Sequence, residues 1–567
     1  MEEQRQNNII LPPKYYLTYF EYLLRFVEIK YGEILLENEW KFLREFNNLK
    51  EDSRCLYVRL INRRGRFFKV SSLAYEEIVE LEDSLEELTG NGFFQEVVEA
   101  DPALFEELLW MFTKPELLAI AQLLDRDLCP PASTKKPDLV RWLHHSYDFE
   151  KVLSCIEEKI IMPVRQTEVL MIKFLFFGNR HDDMSEFVIR DLGHVRFQNF
   201  DDDQLSVQFK SRKEADDCYM ISLQAEYFEN CKKEIPAEEI YDWFMNWQIG
   251  TSDHLSIVAR PAFDRLVIKV ATYLERSRLW DQALSVFQLT EQPPARERRT
   301  RLLYRMGFVE ESAALSKLML TEPQNSDEKY FGNDFLEKIS SKKKKTIKST
   351  TRLLKQSDTL DIAVTYRYQV ERGVINYYLE KGYQAVFSEN EPWRAIFGLL
   401  FWDIIYDTNV KAIHHPLQRV PSDFFQPDFY LRRRDQLEER LSMMKSNQDL
   451  VQYILDVWNT KTGITNVMVS WYEEVLFGAL TIGEMIPLPQ LGKILMEMAM
   501  NLRENARGFP DLLVWKDQEY VLVEVKSPTD HLSARQLRWQ EVFASLNINC
   551  KVVRVAWIET VNSGDPS

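Results

Sequence analysis

Several features that would narrow the class of this protein are scarce in its 567 residues. Glycine (18) and proline (22) are few, and long stretches of Leu, Glu, Lys and Arg favour a mainly helical chain. No run of 18 apolar residues occurs, so no transmembrane helix is expected, and the first residues lack the apolar segment of a signal peptide. The six cysteines are scattered without CxxC or Cys/His spacing, so no zinc site is expected and the thiols indicate a reducing compartment.

The net charge of −17 argues against a protein that is coated with basic residues for nucleic-acid binding. It does not exclude local basic grooves, because electrostatic steering depends on patches rather than on totals. A hydrophobic content of 45%, with 13 Trp, 24 Tyr and 34 Phe, is enough to bury several cores. The length then predicts about three or four domains.

The first 100 residues are typical of a small helical unit that contains a basic ribbon. Apolar residues recur at helical spacing before residue 50, and "CLYVRLINRRGRFFKV" (55–70) alternates like a hairpin with Gly65 at its turn. Helices with a basic ribbon predict a winged-helix-like module, although a solvated charged hairpin explains the same residues equally well.

Residues 101–150 predict a helix, a loop and a second helix. Thr113 is expected to cap the first helix, and Pro115 to lie in its first turn. Basic residues near both helix starts suit contacts with duplex phosphates, and a weakly charged surface is the alternative.

The pattern from 151 to 375 predicts helix throughout. Two segments, 264–289 and 298–319, each predict a helical hairpin with the small-residue and aromatic rhythm of tetratricopeptide repeats. Basic clusters in this part indicate an acidic partner. They are Arg296, Arg298, Arg299 and Arg301, and further along Lys342 to Lys345.

Charges interrupt apolar, strand-like runs near the C-terminus, in "GFPDLLVWKDQEYVLVEVKSP". If the two runs form a hairpin in which Trp515 pairs with Tyr520, Asp511 falls opposite Glu524, with Cβ atoms roughly 4.5–5.5 Å apart. Lys526 shares the face of Glu524, because side chains alternate along a strand. Two carboxylates at that distance repel each other unless a cation lies between them.

The resulting pattern, P-D-x12-E-x-K, predicts a Mg²⁺ or Mn²⁺ site for phosphodiester hydrolysis. Asp511 and Glu524 would bind the metal together with the carbonyl of Val525, while Lys526 would orient or help deprotonate the attacking water. Short motifs match by chance, and a Glu–Lys pair is often only structural. The helix and strand that follow nevertheless complete the order of a restriction-endonuclease-like core, which favours the nuclease.

The motifs R-G-x-P-D, V-E-V-K and S-P-x-D-x-L-S-x-x-Q-x-x-W resemble the virus-type replication-repair nuclease (VRR-NUC) domain of the PD-(D/E)xK superfamily. Upstream, "YYLTYFEYLL", "LYVRLINRRGRFFKV" and "GLLFWDIIY" resemble blocks of the Fanconi-associated nuclease family in its short, bacterial-type form. The resemblance covers nearly the whole chain and implies a multidomain, mainly α protein. Its parts would be a winged-helix-like domain (1–100), a SAP-like module (101–150), a TPR-like helical domain (151–375) and an α/β nuclease domain (376–567).

This resemblance implies a structure-selective, metal-dependent DNA nuclease of DNA repair. Such a protein would act as a 5′ flap endonuclease and 5′–3′ exonuclease on branched DNA and 5′-phosphorylated ends, and would help to unhook interstrand crosslinks. We expect a monomer or a DNA-induced dimer, without membrane attachment and without the ubiquitin-binding finger of vertebrate members. The expected location is the bacterial cytoplasm, on the nucleoid when DNA is bound, or the nucleus in a eukaryote.

The family's metal-site residues carry over as Asp511, Glu524 and Lys526. A further family glutamate precedes the "LLFWDII" helix, where Glu389 and Glu391 both stand. Glu389 is the better match, because the family pattern places a small residue on each side of that glutamate.

The family also holds the 5′-terminal phosphate in a basic pocket, which suits the bidentate hydrogen bonds of guanidinium groups. The matching arginines are Arg503 and Arg507 before the motif aspartate, and Arg296 and Arg298 in the helical domain. Gln536 is expected to touch the scissile region from the following helix. Trp539 is expected in the core, and His531 is expected to be an ordinary loop residue.

Two alternatives belong to other functional classes. One is a scaffold that binds DNA junctions and whose nuclease fold is inactive, but such a scaffold has no physical reason to keep buried like charges. The other is a Holliday-junction-type resolvase of the same superfamily. The long helical regions count against it, because small resolvases dimerise around the nuclease core alone.

Overall fold

A computed structural model describes residues 11–97, 104–251, 254–341 and 349–559. The predicted cluster Lys342 to Lys345 lies outside these described residues. The chain divides into two compact units: residues 1–194 with 210–212 form the first, and the remaining residues form the second. Over the described ranges, no helix combines the length and the apolarity that crossing a bilayer requires.

The first unit is built from helices around a small antiparallel sheet with the strand order β1-β3-β2. Its core includes a cluster of aromatic rings, in which Phe42, Phe46 and Phe93 surround Tyr57. The helices are α1 (Tyr15–Tyr31), α2 (Glu37–Asn48), α3 (Glu51–Ile61), α4 (Leu81–Gly90), α5 (Phe105–Met111), α6 (Lys114–Leu124), α7 (Lys136–Ser146), α8 (Phe149–Leu153), α9 (Gln166–Phe177) and α10 (Ser185–Asp191). The strands are β1 (Phe68–Lys69), β2 (Phe94–Glu96) and β3 (Ile160–Pro163).

The hairpin prediction for residues 55–70 is wrong. The first half of this segment lies in helix α3, whose buried side chains include Leu56, Tyr57 and Leu60 at helical spacing. Gly65 does lie in a turn with φ of +91°, but the turn leads into β1, whose partner is the distant strand β3. Alternation of apolar and basic residues therefore arose here from a helix with one buried face.

The predicted helix, loop and helix within 101–150 are confirmed as α6 and α7. Thr113 and Glu116 form a reciprocal capping box at the start of α6. The prediction that the chain is helical throughout 151–375 is wrong at its beginning. Strand β3 completes the small sheet, and β3, α9 and α10 belong to the first compact unit.

The second unit begins with a run of helices in which sequence neighbours pack together. The predicted hairpins at 264–289 and 298–319 are confirmed as α13 with α14 and α15 with α16. Gly332 permits the close contact between α16 and α17, since a Cβ atom there would lie 2.7 Å from the carbonyl oxygen of Ser316. The helices are α11 (Arg212–Cys231), α12 (Ala237–Ile249), α13 (Arg260–Arg276), α14 (Trp280–Phe287), α15 (Ala295–Met306), α16 (Val309–Thr321), α17 (Ser326–Ser340) and α18 (Ser349–Gln356).

The rest of the second unit surrounds a five-stranded mixed sheet with the order β4-β8-β7-β6-β5. Its strands are β4 (Asp358–Ala363), β5 (Gln384–Phe387), β6 (Leu512–Lys516), β7 (Glu519–Lys526) and β8 (Cys550–Ile558). The helices are α19 (Val370–Glu380), α20 (Glu391–Leu400), α21 (Trp402–Ile405), α22 (Asp428–Met443), α23 (Asn447–Lys461), α24 (Glu473–Met485), α25 (Leu488–Met500), α26 (Leu502–Asn505) and α27 (Ala534–Ser545). The predicted order of hairpin, helix and strand is confirmed as β6, β7, α27 and β8.

The start of this sheet also corrects the helical prediction for 151–375 at its other end. Strand β4 pairs in parallel with β8 along its whole length, and α19 packs on β4. A nuclease domain that starts at residue 376 would therefore lose one edge of its sheet and most of α19.

Candidate active site

The hairpin of β6 and β7 has the predicted register. Trp515 lies opposite Tyr520 and Leu512 lies opposite Val523, so the same register places Asp511 opposite Glu524. A two-residue turn with a positive φ of 53° at Asp517 joins the strands. The apolar residues Leu512 and Val523 belong to the core of the sheet.

Asp511 is a buried carboxylate held at the start of β6, with only 9% of its surface exposed. Its Oδ2 accepts a hydrogen bond of 2.7 Å from the backbone N–H of Val525, and its backbone carbonyl accepts one of 2.8 Å from Ser388. Burial, with the added charges of Glu389 and Glu371, raises the pKa of Asp511 to about 6, despite the opposing effects of the Val525 N–H and Lys526.

Glu524 is buried more completely, with 1% of its surface exposed. Its Oε1 accepts a hydrogen bond of 2.6 Å from Gln536 Nε2 and lies 2.7 Å from the ammonium of Lys526. Burial, and then the charge of Asp511, raise the pKa of Glu524 well above its usual value. Burial alone would lower the pKa of Lys526, but the two carboxylates outweigh it and raise that pKa, so the lysine stays charged.

Glu389 is the glutamate whose charge acts on this pair. The preceding residue, Ser388, binds the Pro510 carbonyl through its hydroxyl, and the following residue, Asn390, accepts a hydrogen bond of 2.8 Å from the N–H of Gly508. Glu389 raises the pKa of Asp511, whereas the carboxylate of Glu391 accepts a hydrogen bond of 2.9 Å from the Ser470 hydroxyl. The effect of Glu389 on Asp511 and the engagement of Glu391 by Ser470 favour Glu389, as the sequence pattern does.

Glu371 is a carboxylate near the site that sequence reasoning missed. It lies in the first turn of α19, and its charge also raises the pKa of Asp511. The packing of α19 brings it there, since Gly373 lies so close to β4 that a Cβ atom would be 2.7 Å from Ile362. No local motif marks Glu371, because its position depends on the strand β4 that was predicted as helix.

Carboxylate oxygens are suitable ligands for a divalent cation, but in this structure the side chains are not oriented as a complete coordination shell. Within the described ranges, no three Asp, Glu, His or Cys side chains already point at one common position. Glu524 is engaged by Lys526 and Gln536, and Glu389 accepts a hydrogen bond from Asn390. Two buried, mutually repelling carboxylates with raised pKa values are still what a hard cation with oxygen ligands would stabilise. The carbonyl of Val525 stays a predicted ligand.

Two arginines before the motif aspartate have exposed side chains, Arg503 on α26 and Arg507 after it. Within the described part of the chain, neither guanidinium has an acidic partner. Each lies near a second arginine: burial and the charge of Arg503 lower the pKa of Arg265 on α13, and burial and the charge of Arg507 lower the pKa of Arg394 on α20. Arg265 and Arg394 were missed by sequence reasoning, because neither adjoins another basic residue in the sequence.

The structure gives Arg296 a different environment from the one predicted. It is 5% exposed and its Nε donates a hydrogen bond of 3.0 Å to Glu328, while its Nη2 binds both Glu328 and the Glu322 carbonyl. Because Nε and Nη2 are engaged in a buried ion pair, this environment disfavours a phosphate contact through them, and the role of Arg296 stays a prediction. Arg298 is partly exposed and lies 3.3 Å from Glu275.

Helix α27 contributes one side chain, Gln536, to the site. Gln536 binds Glu524, and its backbone and side chain form a capping box with Ser533. Trp539 is 1% exposed, as predicted for a core residue, and its ring packs at a tilt against Phe509 with centroids 4.1 Å apart. His531 is exposed in the loop before the helix, as predicted.

Comparison with known proteins identifies this arrangement. The family model for the FAN1 HTH domain matches residues 14–95, and the model for the VRR-NUC domain matches residues 445–557. A Fanconi-associated nuclease 1 homolog of Pseudomonas aeruginosa is 27% identical over 98% of this chain and 99% of its own length. The chain is thus similar to a Fanconi-associated nuclease 1 homolog over almost its whole length.

Other relatives extend the likeness to eukaryotes and to solved structures. Human Fanconi-associated nuclease 1 is 22% identical over 95% of this chain and 62% of its own length. Crystal structures of paFAN1 bound to 5′ flap DNA with a gap match with TM-scores of 0.82 and 0.80, at 24% and 25% identity, and cover 97% of this chain and 100% of theirs. The match to the VRR-NUC model makes the protein a DNA nuclease of a domain class whose chemistry generally depends on metal ions.

Proposed function

We propose that this nuclease cuts 5′ flaps in branched DNA and trims 5′-phosphorylated ends with Mg²⁺ or Mn²⁺. The observation that carries the proposal is the buried pair of Asp511 and Glu524, which face each other with raised pKa values beside Lys526. The paFAN1 structures, which hold 5′ flap DNA with a gap, support the same substrate class. Unhooking of interstrand crosslinks, which the family name suggests, is the proposed cellular use.

Asp511, Glu524 and Glu389 would hold the metal, with the carbonyl of Val525 as a further ligand. The ion would supply positive charge that polarises the scissile phosphate and acidifies water. The Val525 N–H fixes one oxygen of Asp511 and so orients the other. Lys526, held charged against Glu524, would place a second positive charge where charge develops on the phosphate.

Arg503 and Arg507 would bind the 5′-terminal phosphate, with Arg265 and Arg394 beside them. Each pair brings like charges together, and the nearby carboxylates of Asp264 and Glu391 offset the repulsion only in part, so an anion would relieve it. Guanidinium groups grip phosphate oxygens through paired hydrogen bonds. Arg298 remains a proposed weaker contact, and Gln536, which binds Glu524, would lie next to the scissile phosphate.

A flap cleavage assay with paired metal and mutant arms tests the proposal. Wild type should cut a 5′-phosphorylated flap with Mg²⁺ or Mn²⁺, whereas Asp511→Ala should still bind it but cut it at least about a hundredfold more slowly. Binding without cleavage in wild type, with either metal, would leave the inactive scaffold as the better description. Paired symmetric nicks on four-way junctions in preference to flaps would favour a resolvase.

A further inference from the structure

The segment 196–206, which precedes helix α11 in the chain, packs against the nuclease part of the second unit. At one end, the carbonyl of Arg196 accepts a hydrogen bond of 2.7 Å from the N–H of Thr465. At the other end, the N–H of Ser206 donates a hydrogen bond of 3.0 Å to the carbonyl of Ile413. The residues between these two anchors form one wall of a cavity whose other walls come from helices α21 and α23.

The cavity has a volume of about 550 Å³, which is in the range of pockets that hold a small ligand. Aromatic rings form much of its wall, namely those of Phe200, Trp402, Tyr406 and Tyr453. The ring centroid of Tyr406 lies 6.3 Å from that of Phe200 and 5.5 Å from that of Trp402. Trp402 and Tyr406 are buried, whereas Phe200 and Tyr453 are only half-buried and present ring surface to the cavity. Such a wall suits a flat, unsaturated ligand.

Amide side chains also line the cavity. Asn199 and Gln204 are exposed and belong to its wall, and each amide offers both a hydrogen-bond donor and an acceptor. The Oε1 of Gln198 accepts a hydrogen bond of 3.1 Å from the indole of Trp402, which fixes this ring against the segment. A nucleobase combines a flat aromatic ring with donors and acceptors on its edge, so it matches both kinds of group.

The charges of the cavity favour a neutral ring over a phosphate group. Among the described residues that line it, Asp403 and Asp407 are acidic and Lys461 is basic. Arg440 pairs with Asp403 at 2.6 Å, but Asp407 accepts its hydrogen bonds from neutral amide groups. The ammonium of Lys461 lies 3.4 Å from the Oε1 of Gln198 in the cavity wall. A free nucleotide would bring its phosphate dianion near these carboxylates, whereas a base within a strand leaves its phosphates outside.

Helix α20 connects the cavity to the proposed metal site. It begins at Glu391, two residues after Glu389, and ends at Leu400, and α21 begins at Trp402 in the cavity wall. A helix of ten residues is about 15 Å long. A strand whose scissile phosphate lies beside Glu389 would therefore have nucleotides within reach of the cavity a few positions from the cut.

We propose that this cavity binds one unpaired nucleobase of the branched DNA substrate. Phe200 and Tyr453 would stack on the base, and Asn199 and Gln204 would bond to its edge, which is how proteins hold bases outside a duplex. A base enters such a cavity only where the strands are separated, so the site would add to the preference for branched over fully paired DNA. The inference rests on the DNA substrate proposed above, but not on the metal chemistry.

The test is binding of 5′ flap DNA in chelator, with a single abasic nucleotide placed at each unpaired position in turn. An abasic nucleotide removes the base and keeps the phosphate, so it reports base contacts alone. For wild type, an abasic nucleotide at one position should weaken binding by about fivefold or more, the loss expected for one stacked base. Phe200→Ala should bind the intact flap more weakly by a similar factor and should sense that abasic position by less than about twofold, because both changes remove one contact.

Phe308→Ala is the matched control. Phe308 is a phenylalanine that is 46% exposed between α15 and α16 and does not line the cavity. This variant should bind the flap and sense the abasic position as wild type does. If Phe200→Ala lowers the Tm, Asn199→Ala at an exposed position takes its place and should reduce the abasic penalty by about twofold. Binding by wild type that no abasic position changes, a full penalty in Phe200→Ala, or a lost penalty in Phe308→Ala would overturn the inference.

The outcome for wild type separates this inference from the proposed function. If wild type cuts flaps with Mn²⁺ while no abasic position alters its binding, only the base site is wrong. If wild type binds flaps no better than fully paired duplex, the DNA substrate is wrong and the base site falls with it. Binding of dAMP by wild type but not by Phe200→Ala, without an abasic effect on flaps, would assign the cavity to free nucleotides instead.

Discussion

Like charges lie together in two regions of this molecule, the carboxylates of the hairpin and the arginines before it. Asp511 and Glu524 face each other in the interior, whereas Arg503 and Arg265 lie close together on side chains that reach solvent. Both arrangements destabilise the folded state unless a ligand of opposite charge offsets the repulsion. The two regions differ in how they can be relieved, since a carboxylate can take up a proton while a guanidinium stays charged at any accessible pH.

The largest expected effect is a loss of flap cleavage when a carboxylate of the proposed metal site is removed. Glu389→Gln should slow flap cleavage by about a thousandfold, or about 4 kcal/mol, because it removes a proposed metal ligand whose charge acts on Asp511. Glu391→Gln is the matched control two residues away, and should stay within about threefold of wild type. Steady-state cleavage at saturating Mn²⁺ measures both, and the reverse ranking would show that Glu391 completes the site.

Arg296 differs from these arginines because its guanidinium is paired with an acidic residue, Glu328. Arg296→Met should lower the free energy of unfolding of its helical domain by about 3 kcal/mol or more, because Glu328 would be left charged and buried without its partner. Arg298→Met removes a partly exposed pair on the same helix and should cost about 1 kcal/mol at most. Thermal unfolding measures the difference. An Arg296 variant as stable as wild type, but with lost selectivity for 5′-phosphate ends, would restore the original prediction for this residue.

Some parts of the structure could be predicted from the sequence and others could not. The hairpin register was predictable because it depends on a local turn and a two-residue period, so Asp511 and Glu524 could be placed opposite each other. Strand β4 was missed because its partner β8 lies almost 200 residues away and no local signal ties them. Helix α3 was misread because its apolar residues also satisfy an alternating pattern over a few positions.

The pairing partners of the arginines could not be predicted from the sequence either. A cluster of arginines in a sequence indicates positive charge, but it does not show which member a distant glutamate neutralises. Arg296 was chosen from such a cluster and is paired with Glu328, whereas Arg265 lies outside it and faces Arg503. Only the packing of separate helices decides which guanidinium remains available for a phosphate.

A smaller effect tests whether protonation can relieve the carboxylate pair. Because the fold raises the pKa of Asp511 from 3.8 to about 6, this group stabilises the protein fully below the unfolded value, and that stability is lost as the pH rises through about 6. Without metal, the stability of Asp511→Asn relative to wild type should therefore increase by about 3 kcal/mol at most between pH 4 and pH 8. Unfolding midpoints in chelator measure this trend, and added Mn²⁺ should stabilise wild type more than the variant. A difference that stays constant with pH would mean that Asp511 is not strained in the fold.

The smallest of these effects concerns the arginines, which no proton can relieve. Arg503→Met should reduce cleavage of 5′-phosphorylated flaps by about tenfold to fiftyfold relative to 5′-hydroxyl flaps, the loss expected for one or two charge-assisted hydrogen bonds. Its stability should hardly change, because the side chain is exposed and lacks an acidic partner among the described residues.

Arg265→Met should lower the same ratio by a smaller factor, and the effects of the two changes together should be less than additive if both side chains bind one phosphate. The selectivity ratio should stay level between pH 6 and pH 8 apart from the second ionisation of the phosphate itself, since the guanidinium charges do not change there. An equal loss on phosphorylated and hydroxyl ends would instead assign Arg503 to general DNA binding, and the arginine region would then differ from the hairpin in having no dedicated ligand.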